Sequence, residues 1–373
     1  MNTPIKHSAS RLRLATLSSF SPHKLGSGED AYVSFAKAAT ERGHSWTLFC
    51  HEPIHPTVQK EFYRTGANIQ SLTELERRPL QALNLFRHSF DVVELNLIAP
   101  RSPIALAAYA AWPCSVIFID RVSGPPEGED TRANWASRAL DRITMLRVNR
   151  FAGVSEYVRA RGEKRFGLPL NKTRVLYNGV DTTRFHSPVR PPQNRNEIKI
   201  LCVGYLIPEK GMDVLLKAIA DVTSERWSLT IIGEGPEGPS LYELANNLGI
   251  QRRVEFLGLR DDVDRLLREA DIFAHPAVWE EAFGHTVVEG MASGCCVLAS
   301  KVGGIPELMV DQQEGLLIEP GDVASWTDAL SRCCQDAGLR LHLGTAARAR
   351  VLRDFPIERR MNEELALFED VAR

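Results

Sequence analysis

Short apolar runs alternate along this chain with longer stretches whose apolar residues recur at helical spacing. Leu12–Leu17 is the first run of strand length. Glu29–Arg42 follows with Tyr32, Phe35, Ala36 and Ala39 on one helical face, and Gly43 ends it. Ser45–Phe49, Asp91–Leu95, Ser115–Asp120, Phe151–Val154 and Arg174–Tyr177 read as further strands, with helices near 56–65, 101–111, 132–149 and 155–166 between them. Asn178-Gly-Val-Asp then makes a turn, and Ser187-Pro-Val-Arg-Pro-Pro-Gln-Asn-Arg-Asn reads as a polar, proline-rich linker. A second alternating series has strands at Ile198–Val203, Ser228–Ile232, Val254–Leu257, Ile272–Ala274, Cys296–Ala299 and Gly315–Ile318. From Asp322 the chain reads as helices, the last from about residue 357 to 371. Strands alternating with helices build βαβ units and parallel sheets. The expected architecture is therefore α/β, two doubly wound halves with boundaries at 1–190 and 191–356.

Length and composition agree with two soluble domains. The chain has 373 residues, 44% apolar and 25% charged, which excludes a disordered or collagen-like polymer. There is no apolar run of about 18 residues, so no membrane-spanning helix is expected. The opening Met1-Asn-Thr-Pro-Ile-Lys-His-Ser lacks an apolar core behind a basic end, and no secretory leader is expected. The seven cysteines are odd in number and contain no C-x-x-C pair, which points to reduced thiols in the cytoplasm. Charge divides the halves. Residues 1–190 hold 26 Lys+Arg against 17 Asp+Glu (+9), residues 191–373 hold 19 against 30 (−11), and the two sum to −2. A basic half suits an anionic neighbour, such as a lipid headgroup at a membrane surface or a phosphorylated acceptor, or else attraction to the acidic half across a cleft. With pI 6.6 and no basic aromatic stripe, nucleic acid is not an expected partner.

In a doubly wound sheet, ligands bind beyond the carboxyl ends of the strands. After the first strand, Gly26 and Gly28 lead into a helix whose amino-terminus favours an anion. After Ile198–Val203 comes Gly204-Tyr-Leu-Ile-Pro-Glu-Lys210-Gly211, and Lys210 reaches a phosphate as a point charge. Gly233-Glu-Gly-Pro follows the next strand. The segment 271–294 carries the most chemistry: a strand ending at Ala274, a loop with Glu281 and Gly284, and a helix from about Thr286 with Glu289 in its first turn. A carboxylate beside that positive helix end stays ionised and accepts hydrogen bonds from sugar hydroxyls. On spacing alone, the plainer reading, with Glu281 a solvated loop residue and Glu289 a dipole-pairing acid, is the favoured one.

Glu281 and Glu289, with seven residues between them, complete a pattern that resembles the retaining GT-B glycosyltransferases of family 4. Further matching segments are Gly26-Ser-Gly-Glu, Val154-Ser-Glu, Val175-Leu-Tyr-Asn-Gly-Val-Asp181, Gly204-x5-Lys210-Gly, Ile232-Gly-Glu-Gly-Pro236, Val254-Glu-Phe-Leu-Gly258 and Gly303-Gly-Ile-Pro-Glu307. They span nearly the whole chain and are densest from 198 to 320. The resemblance implies two Rossmann-like domains facing across a cleft, with acceptor on the first, nucleotide-sugar donor on the second, and the last helix (357–373) packed back on the first. By position, Glu289 would bond the ribose, Glu281 the donor sugar, and Lys210 the diphosphate. Backbone groups of Phe283, Gly284, His285 and Thr286 would line sugar and phosphates. Leu257 and Gly258 would line the base, with Gly204, Gly233, Gly26 and Gly28 also on the donor.

Two positions depart from the family pattern. The family commonly has Arg after the glycine of the Lys210 loop, where this chain has Tyr205; it often has a His after the fifth strand, where this chain has Asp120-Arg121. Arg121 is a candidate to supply the missing charge, with Asp120 beside it. The implied activity is hexosyl transfer from a UDP- or GDP-sugar to a saccharide or lipid-linked acceptor in polysaccharide or glycoconjugate synthesis, with retention. No D-x-D cluster is placed for Mg²⁺, and neither metal nor other cofactor is expected. A non-catalytic sugar-nucleotide-binding protein, or a nucleotide-sugar epimerase of the same fold, is the alternative.

Overall fold

The apolar runs pair edge to edge into two parallel sheets. The computed structural model describes residues 11–22, 26–124, 135–187, 197–223 and 226–372. The first sheet holds β1 (Arg13–Ser18), β2 (Ser45–Cys50), β3 (Asn68–Ser71), β4 (Val92–Asn96), β5 (Ser115–Asp120), β6 (Arg150–Gly153) and β7 (Thr173–Val175), ordered β3-β2-β1-β4-β5-β6-β7. The second holds β8 (Ile198–Val203), β9 (Trp227–Ile232), β10 (Val254–Phe256), β11 (Ile272–His275), β12 (Cys296–Ser300) and β13 (Leu316–Ile318), ordered β10-β9-β8-β11-β12-β13. Strand order reverses between β1 and β4, and between β8 and β11. Those switch points open the crevices where such sheets bind ligands.

The expected strands recur within two residues of their predicted ends. Two features were not legible. β3 carries a single apolar residue, Ile69, and exists because β2 supplies its ladder. The helices Leu72–Glu76 and Pro79–Ser89 bury little more than Leu72, Ala82 and Phe86, so their apolar stripes are faint in the sequence. The helix read as 132–149 is Trp135–Met145; positions 132–134 and most of the expected linker, 188–196, lie outside the described residues. Cys50, Cys114, Cys202, Cys295, Cys296, Cys333 and Cys334 are all buried free thiols. Among the described residues no helix is long and apolar enough to cross a membrane.

The last helix, Ile357–Val371, returns to the first sheet. Phe368 packs against Phe35, with ring centroids 5.5 Å apart. Ser115 Oγ donates to the Val371 carbonyl at 2.7 Å, and Arg150 pairs with Asp370 at 2.7 Å. The entry to this helix is stitched to Val180: its N–H donates to the Phe355 carbonyl at 3.0 Å and its carbonyl accepts from Ile357 at 3.1 Å.

Candidate active site

Three loops meet at the carboxyl ends of β8, β9 and β10. Gly204 N–H donates to the Ile232 carbonyl at 3.0 Å, and Gly233 N–H to the Gly258 carbonyl at 2.9 Å. Gly233 has φ +139°, and a Cβ there would stand 1.8 Å from the Gly204 oxygen. Only glycine lets these two loops run side by side. Leu257, half-buried, extends the β9 pairing through the Ile231 carbonyl at 3.0 Å. Tyr205, next to Gly204, is 57% exposed.

The charged centre lies between β8 and β11, at the switch point. Lys210 ends a short 3-10 turn, Pro208–Lys210, which is tied to the β11 loop by Val278 N–H donating to the Glu209 carbonyl at 2.9 Å. Its ammonium contacts Glu281 Oε1 directly. His275, the last residue of β11, places Nε2 at 3.4 Å from the same oxygen. The strand runs one residue beyond the expected end at Ala274, and that residue, His275, is not marked by any motif of the sequence. Ser123, on the loop after β5, approaches Glu281 Oε2 at 3.4 Å and accepts from Ala282 N–H at 3.1 Å. Burial alone would push the Glu281 carboxyl up, but the His275 and Lys210 contacts outweigh it and hold it down at about 2. Glu281 is therefore an ionised carboxylate, 8% exposed, next to a cation.

The helix His285–Ala292 starts beside this pair. Gly284 caps it at φ +100°, where a Cβ would meet Ile305 Cδ1 at 2.3 Å. First-turn amides of a helix have no intrahelical acceptor, so they form an anion-binding end. Thr286 Oγ1 lies 3.4 Å from His275 Nδ1. Because the helix begins at His285, Glu289 sits in the second turn rather than the first, buried at 7% exposure. Its charge is felt by Arg184, which pairs with Asp30 at 2.6 Å and lies 3.9 Å from Asp264. Arg184 thereby joins Glu289 to the helix Ser27–Glu41, which opens at Gly26. A Cβ on Gly26 would meet Glu29 Oε2 at 3.1 Å, and one on Gly28 the Phe20 ring at 3.4 Å. Phe283 packs among Tyr177, Phe355 and His285. Burial, then the Arg121 and Arg360 charges, lowers His285 to about 4, so its imidazole is neutral at neutral pH.

Arg121 and Asp120 do different things. Arg121 Nη1 donates to Asn178 Oδ1 at 2.5 Å, while its buried Nε has no hydrogen-bond partner among the described residues. Asp120 accepts from Val122 N–H at 3.0 Å and from Arg161 at 3.2 Å, so it braces the 121–124 loop. Behind Arg121 lies a buried charge cluster that includes Glu94 and the Arg360–Glu364 pair, 3.0 Å apart. Burial, then the Glu364 charge, pushes Glu94 up to about 8.

Two family models match adjoining parts of the chain: the one described as Glycosyltransferase Family 4 matches residues 30–184, and Glycosyl transferases group 1 matches residues 185–350. The chain is a family 4 glycosyltransferase relative and belongs to that family. It is 36% identical over 155 residues to a D-inositol 3-phosphate glycosyltransferase of Corynebacterium glutamicum, a match covering 39% of this chain and 37% of that protein. The match thus spans about two fifths of the relative's length. A GDP-mannose-dependent alpha-(1-6)-phosphatidylinositol monomannoside mannosyltransferase of Mycobacterium tuberculosis is 28% identical over 279 residues, 68% of each chain. The fold is GT-B. A Rickettsia africae glycosyltransferase superposes with TM-score 0.81 at 18% identity over 97% of this chain and 99% of that one. Anabaena HepE in complex with UDP and glucose gives 0.79 at 20% identity over 96% and 100%.

In this family 4 chain the contacts that sequence reasoning missed cross from one sheet's domain to the other. Glu307 accepts from Glu156 N–H at 2.7 Å and Tyr157 N–H at 2.8 Å, capping the helix Glu156–Phe166 of the first half. Tyr177 Oη donates to the same carboxylate at 3.0 Å. Ser155 Oγ accepts from Val158 N–H at 3.1 Å and donates to the Ala282 carbonyl at 2.6 Å, one residue from Glu281. Within the second half, Gly304 N–H donates to the Glu281 carbonyl at 2.8 Å, holding the Glu307 turn against that loop. Val154-Ser-Glu and Gly303-Gly-Ile-Pro-Glu307 were visible as motifs, but nothing local says that they meet.

Proposed function

We propose that this chain is a retaining hexosyltransferase that takes a UDP- or GDP-sugar and glycosylates an acceptor hydroxyl. The observation that carries the reading is the Lys210–Glu281 contact at the start of helix His285–Ala292, with Glu281 ionised. Lys210 sits where a diphosphate leaving group would meet both an ammonium and a helix end. Charge developing on that leaving group is what such a site stabilises. Donor binding draws Lys210 toward phosphate and frees Glu281 to accept from sugar hydroxyls. The anomeric carbon–oxygen bond to diphosphate breaks, the acceptor oxygen bonds the same face, and the acceptor proton passes to a phosphate oxygen of the leaving group. Products are the glycoside and the nucleoside diphosphate. Protein cations neutralise the diphosphate in this scheme: Lys210 first, with Arg121, on the loop after β5, as the candidate second cation. Metal is not required.

The relatives' names guide the acceptor: an inositol phosphate in one case and a phosphatidylinositol monomannoside in the other. A phosphorylated or lipid-linked polyol or saccharide, met in the cytoplasm during glycoconjugate or polysaccharide synthesis, fits the basic first half. The test is a thermal-shift screen against nucleotide-sugars, then turnover with the stabilising donor and the anomer read by NMR. An inverted product refutes retention. Tyr205, in a position where the family commonly has a cation, favours a second reading as a donor-binding protein. That reading predicts a thermal shift with no transfer to any acceptor.

A further inference from the structure

Arg121 is a half-buried arginine held by a neutral group. Its Nη1 donates to the amide oxygen of Asn178, its Nε has no partner, and among the described residues it meets no carboxylate. Other arginines of the first half are different: Arg13, Arg150, Arg159, Arg161 and Arg184 each form an ion pair. The acids around Arg121 are otherwise engaged. Asp120 is taken by Arg161, and Glu364 by Arg360 at 3.0 Å. Glu94, pushed up to about 8 by burial and then by the Glu364 charge, largely keeps its proton at neutral pH. The guanidinium charge is therefore left uncompensated, with a buried donor that a ligand could meet.

Both ends of the Arg121–Asn178 contact are fixed. Asn178 is buried. The next residue, Gly179, lies so close to the start of the last helix that a Cβ there would stand 2.6 Å from Ile357 Cα and 3.1 Å from Arg360 Cβ. Val180 exchanges backbone bonds with Phe355 and Ile357. The 178–180 turn is thus seated on that helix. On the other side, the loop that Arg121 opens docks on the Glu281 loop: Ser123 Oγ accepts from Ala282 N–H at 3.1 Å, and Gly124 N–H donates to the Glu280 carbonyl at 3.3 Å. An amide oxygen orients a guanidinium as a carboxylate does, but it carries no charge to neutralise it. Aspartate has the same shape and would neutralise it.

We propose that Asn178 is a positioning residue, which holds Arg121 through a neutral oxygen so that the guanidinium charge stays available to the donor's diphosphate. The inference rests on the transferase reading, which supplies the diphosphate. It goes beyond that reading in giving the 178–180 turn and the last helix beneath it a part in setting the second cation.

The test is titration calorimetry of the full chain with UDP and with GDP, beside thermal unfolding without ligand. Asn178→Asp turns the neutral bond into an ion pair. It should keep or raise the thermal midpoint while weakening diphosphate binding about tenfold, the scale of one charge-assisted contact. Asn178→Ala should lower the midpoint yet weaken binding only about threefold, because Arg121 keeps its charge. Stability and binding then rank the two variants in opposite order, which a merely structural asparagine would not produce. The double variant Arg121→Gln, Asn178→Ala should bind no more weakly than Arg121→Gln alone. One readout needs no nucleotide. His285 is faced by Arg121, Arg360 and Glu281, and the two cations lower it. Its NMR titration midpoint should therefore rise in both Arg121→Gln and Asn178→Asp. Asn178→Asp binding as tightly as wild type, the same ranking in both measurements, or an unmoved His285 overturns the proposal alone. Wild-type protein that binds neither UDP nor GDP overturns the transferase reading, and the proposal with it.

Discussion

Glu307 ties one domain to the amino-terminus of a helix in the other, and its removal should loosen the closed arrangement around Glu281. Its carboxylate accepts two backbone N–H bonds, at 2.7 and 2.8 Å, and the Tyr177 hydroxyl at 3.0 Å. Burial, then the Glu307 charge, raises the Tyr177 phenol far above its ordinary range, so it donates at every working pH. A bond to a charged acceptor contributes about 1.5–3 kcal/mol when lost from a buried site. Here the freed amides are near solvent once the domains part, and Ser155 still caps Val158. A net loss of about 2 kcal/mol for Glu307→Ala follows, roughly 30-fold in the closed-to-open ratio. Glu307→Gln keeps one acceptor oxygen and turns an amide N–H toward the other donor, so about half that loss is expected. Hydrogen exchange of peptides covering 155–158 reads the effect directly, and kcat/KM reads its consequence. Faster exchange there, graded Ala over Gln, with the second sheet's amides unchanged, is the expected result. Unchanged exchange at 155–158, or equal effects of Ala and Gln, would refute the reasoning.

Lys210→Ala should lower turnover by at least about 100-fold, the scale for removing one preorganised charge-stabilising group, with donor in saturating amounts; a change under threefold would remove Lys210 from the mechanism. Gly233→Ala forces a Cβ to within 1.8 Å of the Gly204 oxygen at φ +139°, and calorimetry should show a midpoint lower by roughly 10 °C. Glu281, held at about 2 against an ordinary 4.5, contributes stability that is present above pH 4.5 and lost as pH falls toward 2. Urea titrations of Glu281→Gln should therefore show a flatter pH dependence across that window. His285 adds a second acid-side loss: its folded imidazole titrates near 4 against an ordinary 6.5, so the unfolded chain gains protons first as pH falls below 6.5. His285→Gln should flatten the 6.5-to-4 region, and an unchanged profile would show that His285 is not buried in the neutral form.

The strands with continuous buried runs were legible: Ser115–Asp120 and Ile198–Val203 have the predicted bounds. Asn68–Ser71 was not, because an edge strand needs only one apolar side chain when its neighbour supplies the hydrogen bonds. Glu281, Gly284 and Lys210 stood out because each follows a buried strand and flanks a glycine turn. Ser123 did not, and Asn178 and Glu307 were visible only within motifs, without their partners, because each is locally an ordinary loop or turn residue.

The alternation that builds two parallel sheets, the glycines that let their loops run close, and the charge division between the halves are all written along the chain. These are local properties, set by side-chain periodicity and backbone freedom. That Lys210 reaches Glu281 across 71 positions and that Glu307 caps a helix about 150 positions away follow from the three-dimensional fold. So does the contact of Arg121 with Asn178 across 57 positions. Each of these depends on which strands lie side by side and how the two domains close, because contacts between distant residues form only when chain crossovers and burial bring their elements together.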